Sequence, residues 1–190
     1  LFERVTYKIL TEVPEKYLWE KMSTTRRRRI IKGREKLEIR EVESAAEFIK
    51  IQEKTFLRRE IEPPQSLEIL EKLVYQSMEQ NSGILLIAGL KNDPDDCRAA
   101  GFFVWDRFTM YYIAGGYDDS DKRGEAMSFL LWNGILLAKE KNLTFDFEGS
   151  MVLGIAEFFR SFGSEASIYY QVVKVKPFLL RLYFLLKGLF

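Results

Sequence analysis

Two carboxylates, Asp146 and Glu148, stand two residues apart in the stretch LTFDFEGS. Apolar Leu143, Phe145 and Phe147 alternate with Thr144, Asp146 and Glu148, which predicts a strand carrying both acids on one face. Their Cα atoms would lie about 6.6 Å apart. Where both faces of a sheet are covered, such a pair is costly to bury without cations, amides or water as partners. Two roles are open. The acids anchor neighbouring loops through hydrogen bonds. Alternatively, one of them faces a ligand at the carboxyl end of the strand, where open α/β sheets bind, and there accepts a proton from an incoming amine or orients it. Glu148, nearer the strand end, is the better candidate. Gly149 permits a sharp turn and Ser150 is an apt N-cap for a helix burying Met151, Ile155, Phe158 and Phe162 and ending at Gly163. Arg160 lies off that stripe, where its plain role is a surface pair with Glu157.

The run Arg26, Arg27, Arg28, Arg29, extended by Lys32, Arg34 and Lys36, is the strongest local charge. Consecutive helical residues point about 100° apart, so the four arginines cannot form one stripe. Some serve solubility; the alternative is a salt-sensitive surface for the phosphates of tRNA or a nucleotide-linked precursor, to which Arg58 and Arg59 can add. Tyr111, Tyr112, Tyr117 and Trp105 either pack a sheet or line a pocket.

The 190 residues suit one globular domain, and 47% hydrophobic with 30% charged residues imply a packed core. Net charge is +1, so attraction to anions must be local. The absence of His excludes His-based triads and His-rich zinc sites within the chain, and no metal site is expected. The single Cys97, in NDPDDCRA, excludes an internal disulfide and reads as an ordinary loop thiol. No run approaches the roughly 20 apolar residues of a membrane span, and no secretory leader is visible, so a cytoplasmic location is expected.

These side chains need positioning elements. RVTYKIL and LEIREV alternate as strands. Pro14 opens a helix with Tyr17, Leu18 and Met22 on one face, and the Arg run forms a second helix. Ser44 with Glu47 predicts a capping box for SAAEFIKIQEKTFLRRE, stopped by Pro63 and Pro64. Ser66 caps a helix burying Ile69, Leu70, Leu73 and Val74. GILLIAGL, RAAGFFVW and TMYYIAGGY then predict an antiparallel meander turned by KNDPDD. A nearly all-apolar helix, the strand LTFDFEG, a helix and the strand IYYQVVKV follow. Helical crossovers favour a parallel pair, giving a mixed α/β sheet with helices on both faces.

This order, carried by STTRRRRIIKGREKLEIREV, TFLRREIEPP, YYIAGGYDDSDKRGEAMSFLLWNGILLAKEK and FDFEGSMVLGIAEFFRSFGSE, resembles the GNAT-like half of the Fem-type acyltransferases. These relatives include peptidoglycan aminoacyltransferases of the bacterial cell wall. The resemblance implies a GNAT-like mixed sheet over residues 1–176, as the C-terminal half of a longer two-half protein. Residues 177–190 are expected to form an apolar helix docking on this domain or on the missing half. It implies acyl transfer to an amine, with aminoacyl-tRNA as donor in Fem-type members and acetyl-CoA in ordinary GNAT enzymes; no covalently bound cofactor is expected. Arg160 aligns with a Lys or Arg that the resemblance links to substrate phosphate or transition-state charge. The loop DDSDKRGEAM stands where ordinary members hold the CoA pyrophosphate. It has Arg123 and Gly124 but lacks the spaced glycines, and Asp118, Asp119, Asp121 and Glu125 flank it, which weakens the CoA reading. Gly116 and Tyr117 complete the expected donor-binding set, with N–H groups from Gly115 to Tyr117 available to an oxyanion. The rival expectations are an acetyl-CoA-dependent N-acetyltransferase of small molecules and a degenerate GNAT-like binding module.

Overall fold

The computed structural model describes residues 2–60, 66–121, 123–149 and 152–172. Its elements are β1 (Phe2–Ile9), α1 (Glu15–Lys21), α2 (Thr24–Lys36), β2 (Leu37–Val42), α3 (Ala46–Arg59), α4 (Leu67–Glu79), β3 (Gly83–Leu90), β4 (Ala99–Trp105), β5 (Thr109–Tyr117), α5 (Glu125–Glu140), β6 (Thr144–Gly149), α6 (Leu153–Arg160) and β7 (Glu165–Gln171). The strands form one mixed sheet in the order β2-β3-β4-β5-β6-β1-β7. The predicted meander is there: β3, β4 and β5 pair antiparallel. The α5 crossover makes β5 and β6 parallel. β1 inserts between β6 and β7, antiparallel to both.

Alternation along the strands feeds two cores, one on each face. On one face Leu85, Ile87, Ala100 and Phe102 meet Phe48 and Ile51 of α3 and Leu70 and Val74 of α4. On the other, Phe103, Met110, Phe145 and Phe147 meet α5 through Leu130, Leu131 and Ile135, with Phe159 and Phe162 closing the end. α5 lies close on the sheet: a Cβ at Gly134 would come within 2.6 Å of the Phe103 ring, and one at Gly101 within 2.7 Å of Leu130.

Two of the described helices, α2 and α4, carry a side-chain N-cap. Ser23 and Ser66 accept from the N–H groups of Arg26 and Ile69. Ser44 does not cap α3; Ala45 holds that position, and Ser44 Oγ accepts from Ala46 N instead. Glu47 pairs with Lys50 at 2.7 Å, so no capping box forms. Three predicted stripes are narrower or shifted. Leu18 and Met22 are buried but Tyr17 is exposed. α4 buries Leu70 and Val74, leaving Ile69 and Leu73 exposed, because it covers the sheet on a single side. α6 starts only at Leu153, so its core residues are Ala156 and Phe159, and Ile155 and Phe158 are half-buried. Ser150, Met151, Pro63, Pro64 and residues 177–190 lie outside the described residues. No described helix is long and apolar enough to cross a membrane.

Candidate active site

The sheet divides where the site lies. The parallel β5–β6 ladder runs through Thr109↔Thr144, Met110↔Phe145 and Tyr111↔Asp146. Beyond it each strand carries a bulge. On β5, Phe102 faces Ala114 while Phe103 faces Tyr112, so Ile113 is the extra residue. On β6, Gly149 faces Thr6 while Asp146 faces Lys8, so Phe147 and Glu148 together oppose Tyr7. Bulges bend and twist the strand that carries them. These two sit side by side, and a cavity of about 700 Å³ opens between the strands. Its walls come from α3, α4, β5, the start of α5, the end of β6, and α6.

The β6 bulge separates the two acids that alternation placed together. Glu148 takes φ +61°, a left-handed conformation that costs a non-glycine residue roughly 1–2 kcal/mol. Asp146 is 4% exposed and does not line the cavity. Its carboxylate accepts from the Thr6 hydroxyl, accepts from Glu148 N at 2.8 Å and pairs with Lys8 at 3.5 Å. Asp146 therefore has the anchoring role and holds the bulge. Glu148 lines the cavity. Desolvation by the walls, and next the Asp146 charge, raise its pKa, against a smaller pull from Lys8. A carboxylate so placed has gained basicity and is open to a ligand amine.

Opposite Glu148, the cavity is lined by Tyr112 and by Gly115, Gly116 and Tyr117 of bulged β5. Tyr111 turns away, its hydroxyl donating to Asp106 at 3.0 Å. Trp105 lies under the Lys141 ammonium, 4.5 Å from its ring centroid. At the far end, Arg123 and Gly124 also line the cavity, and Gly124 begins α5 at φ +66°. The α5 N-terminus is already occupied. Buried Asp121 accepts from Ala126 N at 3.0 Å and from Met127 N at 3.1 Å. An acidic side chain thus fills the position at which a helix start binds an external anion. Burial raises the Asp121 pKa more than these N–H bonds lower it. Lys54 and Arg58 of α3 pin the same loop, each 2.6 Å from Asp118 and Asp119 respectively. Arg58 also stacks on Tyr117, so it is committed within the fold.

The arginine run splits by direction, as helix geometry requires. Arg26 is 4% exposed, which corrects its assignment to a phosphate surface. Its guanidinium lies between the rings of Phe158 and Phe162, 4.2 and 4.5 Å from their centroids, and donates to Ser161 Oγ at 2.9 Å and to Ser128 Oγ. Burial lowers its pKa to about 10, with a further contribution from Arg29. Arg27 is half-buried, Arg28 exposed, and Arg29 reaches the cavity. A second hollow of about 320 Å³ joins Arg28, Arg29, Lys32 and Arg123 beside the cavity. Arg160 is exposed, outside the cavity lining, with its guanidinium 5.4 Å from the Tyr7 ring centroid. The late start of α6 turns it toward β1. Cys97 is half-buried, and burial pushes its thiol up to about 12. Among the described residues no cluster of three His, Cys, Asp or Glu could hold a metal ion.

Sequence reasoning missed Gln52, Thr55 and Phe56 of α3 and Leu67 and Leu70 of α4 as cavity residues. The available signal was a pair of polar residues, Gln52 and Thr55, on the face of α3 that carries Phe48 and Ile51.

Neither a protein-family model nor a curated protein matches the sequence. Solved structures do. FemX superposes with a TM-score of 0.77 at 12% identity, over 86% of this chain and 59% of FemX. A conserved protein of unknown function from Bacteroides thetaiotaomicron gives 0.62 at 12% identity, over 87% of this chain and 58% of that one. A predicted acetyltransferase with acetyl-CoA from Clostridium acetobutylicum gives 0.51 at 12% identity, over 76% of this chain and 97% of that one. The fold is GNAT-like. FemX shares that fold, and the chain spans less than two thirds of FemX.

Proposed function

We propose that this chain is an acyltransferase domain of GNAT/Fem type that passes an aminoacyl group from aminoacyl-tRNA to an amine. The observation that carries the reading is the cleft between the bulged ends of β5 and β6, with Glu148 on one wall and the β5 backbone on the other. Glu148 takes a proton from the incoming ammonium. The free amine attacks the ester carbonyl carbon, and the oxyanion is met by N–H groups from Gly115 to Tyr117. The carbon–nitrogen bond forms first; the oxyanion then collapses, the ester carbon–oxygen bond to the tRNA ribose breaks, and the proton shed by the attacking nitrogen passes to the released ribose oxygen. Arg28, Arg29, Lys32 and Arg123 receive donor phosphates.

The same reading makes residues 1–176 one half of a longer protein, with the acceptor held between the halves, and a cytoplasmic, cell-wall-precursor setting follows from the donor. The test is filter binding of aminoacyl-tRNA across a salt series, with transfer to an amine followed in parallel. Binding that weakens with salt is expected. No binding at low salt, together with tight acetyl-CoA binding, overturns the tRNA reading. Acetyl-CoA as donor is the second reading, favoured by the likeness to a structure with acetyl-CoA over 97% of that chain. It requires CoA to raise the thermal midpoint. Asp121 at the α5 start speaks against it.

A further inference from the structure

Gln52 is 3% exposed and lines the cavity, and its side-chain Nε2 is buried with no hydrogen-bond partner. Such a group bears its whole desolvation cost unless something outside the protein meets it. Among the described residues the other unpartnered buried side-chain atom is Ser164 Oγ, which is not in the cavity. The neighbouring polar group cannot help Gln52. Thr55 Oγ1 donates to Ile51 O at 2.7 Å, one turn back along α3.

α3 is closely seated on β5 at Gly116. The helix packs so tightly on β5 that a Cβ at Gly116 would overlap Thr55 Oγ1 and come within 2.9 Å of Ile51 Cγ2. This fixes Gln52 at the α3 wall. The side chains of Phe56, Leu67, Leu70 and Ile113 line the same cavity and are apolar. Lys54 and Arg58, the cations further along α3, are paired with Asp118 and Asp119. Arg29 and Arg123, which also line the cavity, are the cations assigned to donor phosphates; at the α3 wall a neutral carbonyl can meet the amide without bringing a charge among these apolar side chains.

We propose that Gln52 is a recognition group: its side-chain amide turns about its terminal torsion into the cavity and donates to a carbonyl oxygen of the ligand, with an apolar substituent of that ligand against Leu67, Leu70 and Ile113. The ligand class is a neutral amide or ester flanked by an aliphatic group, as in an aminoacyl or peptidyl unit. The assignment rests on reading the cavity as the substrate cleft, but its test needs no transfer.

The experiment follows the Gln52 side-chain NH2 by ¹⁵N NMR in the whole chain, assigned by its loss in Gln52→Leu. N-acetyl-leucinamide is the probe, and isopentylamine, which has no carbonyl, is the control. Saturating N-acetyl-leucinamide is expected to move the Gln52 signal, and isopentylamine is not. Gln52→Leu and Gln52→Met are each expected to weaken binding about five- to tenfold, the worth of one neutral hydrogen bond. Gln52→Met retains the length of the side chain and guards against a packing artefact. Gln52→Glu cannot donate when ionised and is expected to lose binding likewise. The proposal is overturned if the signal stays still, if the probe does not bind, or if the folded Gln52→Met chain binds as the parent does. Failure here with transfer intact leaves the proposed reaction standing; loss of transfer with amide recognition intact does the reverse.

Discussion

Glu148 should behave against the usual rule that substitution destabilises. Its φ of +61° costs an L-residue roughly 1–2 kcal/mol. Glycine removes that cost but forfeits about 0.5–1 kcal/mol through its freer unfolded chain. Glu148→Gly is therefore expected to gain up to about 1.5 kcal/mol, a rise of a few degrees in midpoint for a chain of this size. Glu148→Gln separates charge from backbone, since it retains the strained conformation. Because the folded-state pKa of Glu148 is raised, its ionised form is disfavoured by folding. The penalty is complete above the folded pKa and vanishes below the ordinary carboxylate value. Gln should thus stabilise at neutral pH and have no effect in acid. Both variants should lose about 10²–10⁴ in transfer rate, and the alkaline-rising limb of the rate profile should disappear with the carboxylate. Thermal melts at neutral and acidic pH, with single-turnover transfer, decide the matter. A lowered midpoint for Glu148→Gly, or transfer at the parental rate in either variant, refutes the reasoning.

The arginine run should divide in two. Arg26→Ala leaves Phe158, Phe162, Ser128 and Ser161 without their shared partner and should cost about 2–4 kcal/mol in denaturant unfolding. Arg28→Ala should stay within about 0.5 kcal/mol of the parent while lowering the log–log salt slope of RNA binding by about 0.7–0.9. Asp121→Ala should weaken the α5 start by about 1 kcal/mol and admit a CoA-dependent rise in midpoint that the parent lacks. An equal rise in the parent would show that the buried carboxylate does not bar the helix start.

Local pattern carried the meander, the buried α5 and the parallel β5–β6 pair, because period and crossover are properties of neighbouring residues. It failed where distant chain decides. Alternation put Asp146 and Glu148 on one face, but pairing with β1 forces an extra residue into β6 and sends them to different surroundings. That register is fixed by Thr6 and Lys8, some 140 positions away, and leaves no local mark beyond Gly149. Likewise, helix geometry required the arginines to diverge, but only the rings of Phe158 and Phe162 select Arg26 as the buried one. The α6 stripe slipped because that helix begins at Leu153, later than the Gly149–Ser150 signal suggests.

The short parallel ladder also has a mechanical meaning. Three registered residue pairs join the four-strand block β2 to β5 to the three-strand block β6, β1 and β7 along the backbone. Across that seam, continuity passes instead to α5, which touches strands on both sides, and to the contact of Phe103 with Phe145. β6 is held by three registered pairs on its other side as well, to β1, so tension drawn across the strands would load both flanks of β6, with the helix as the tie.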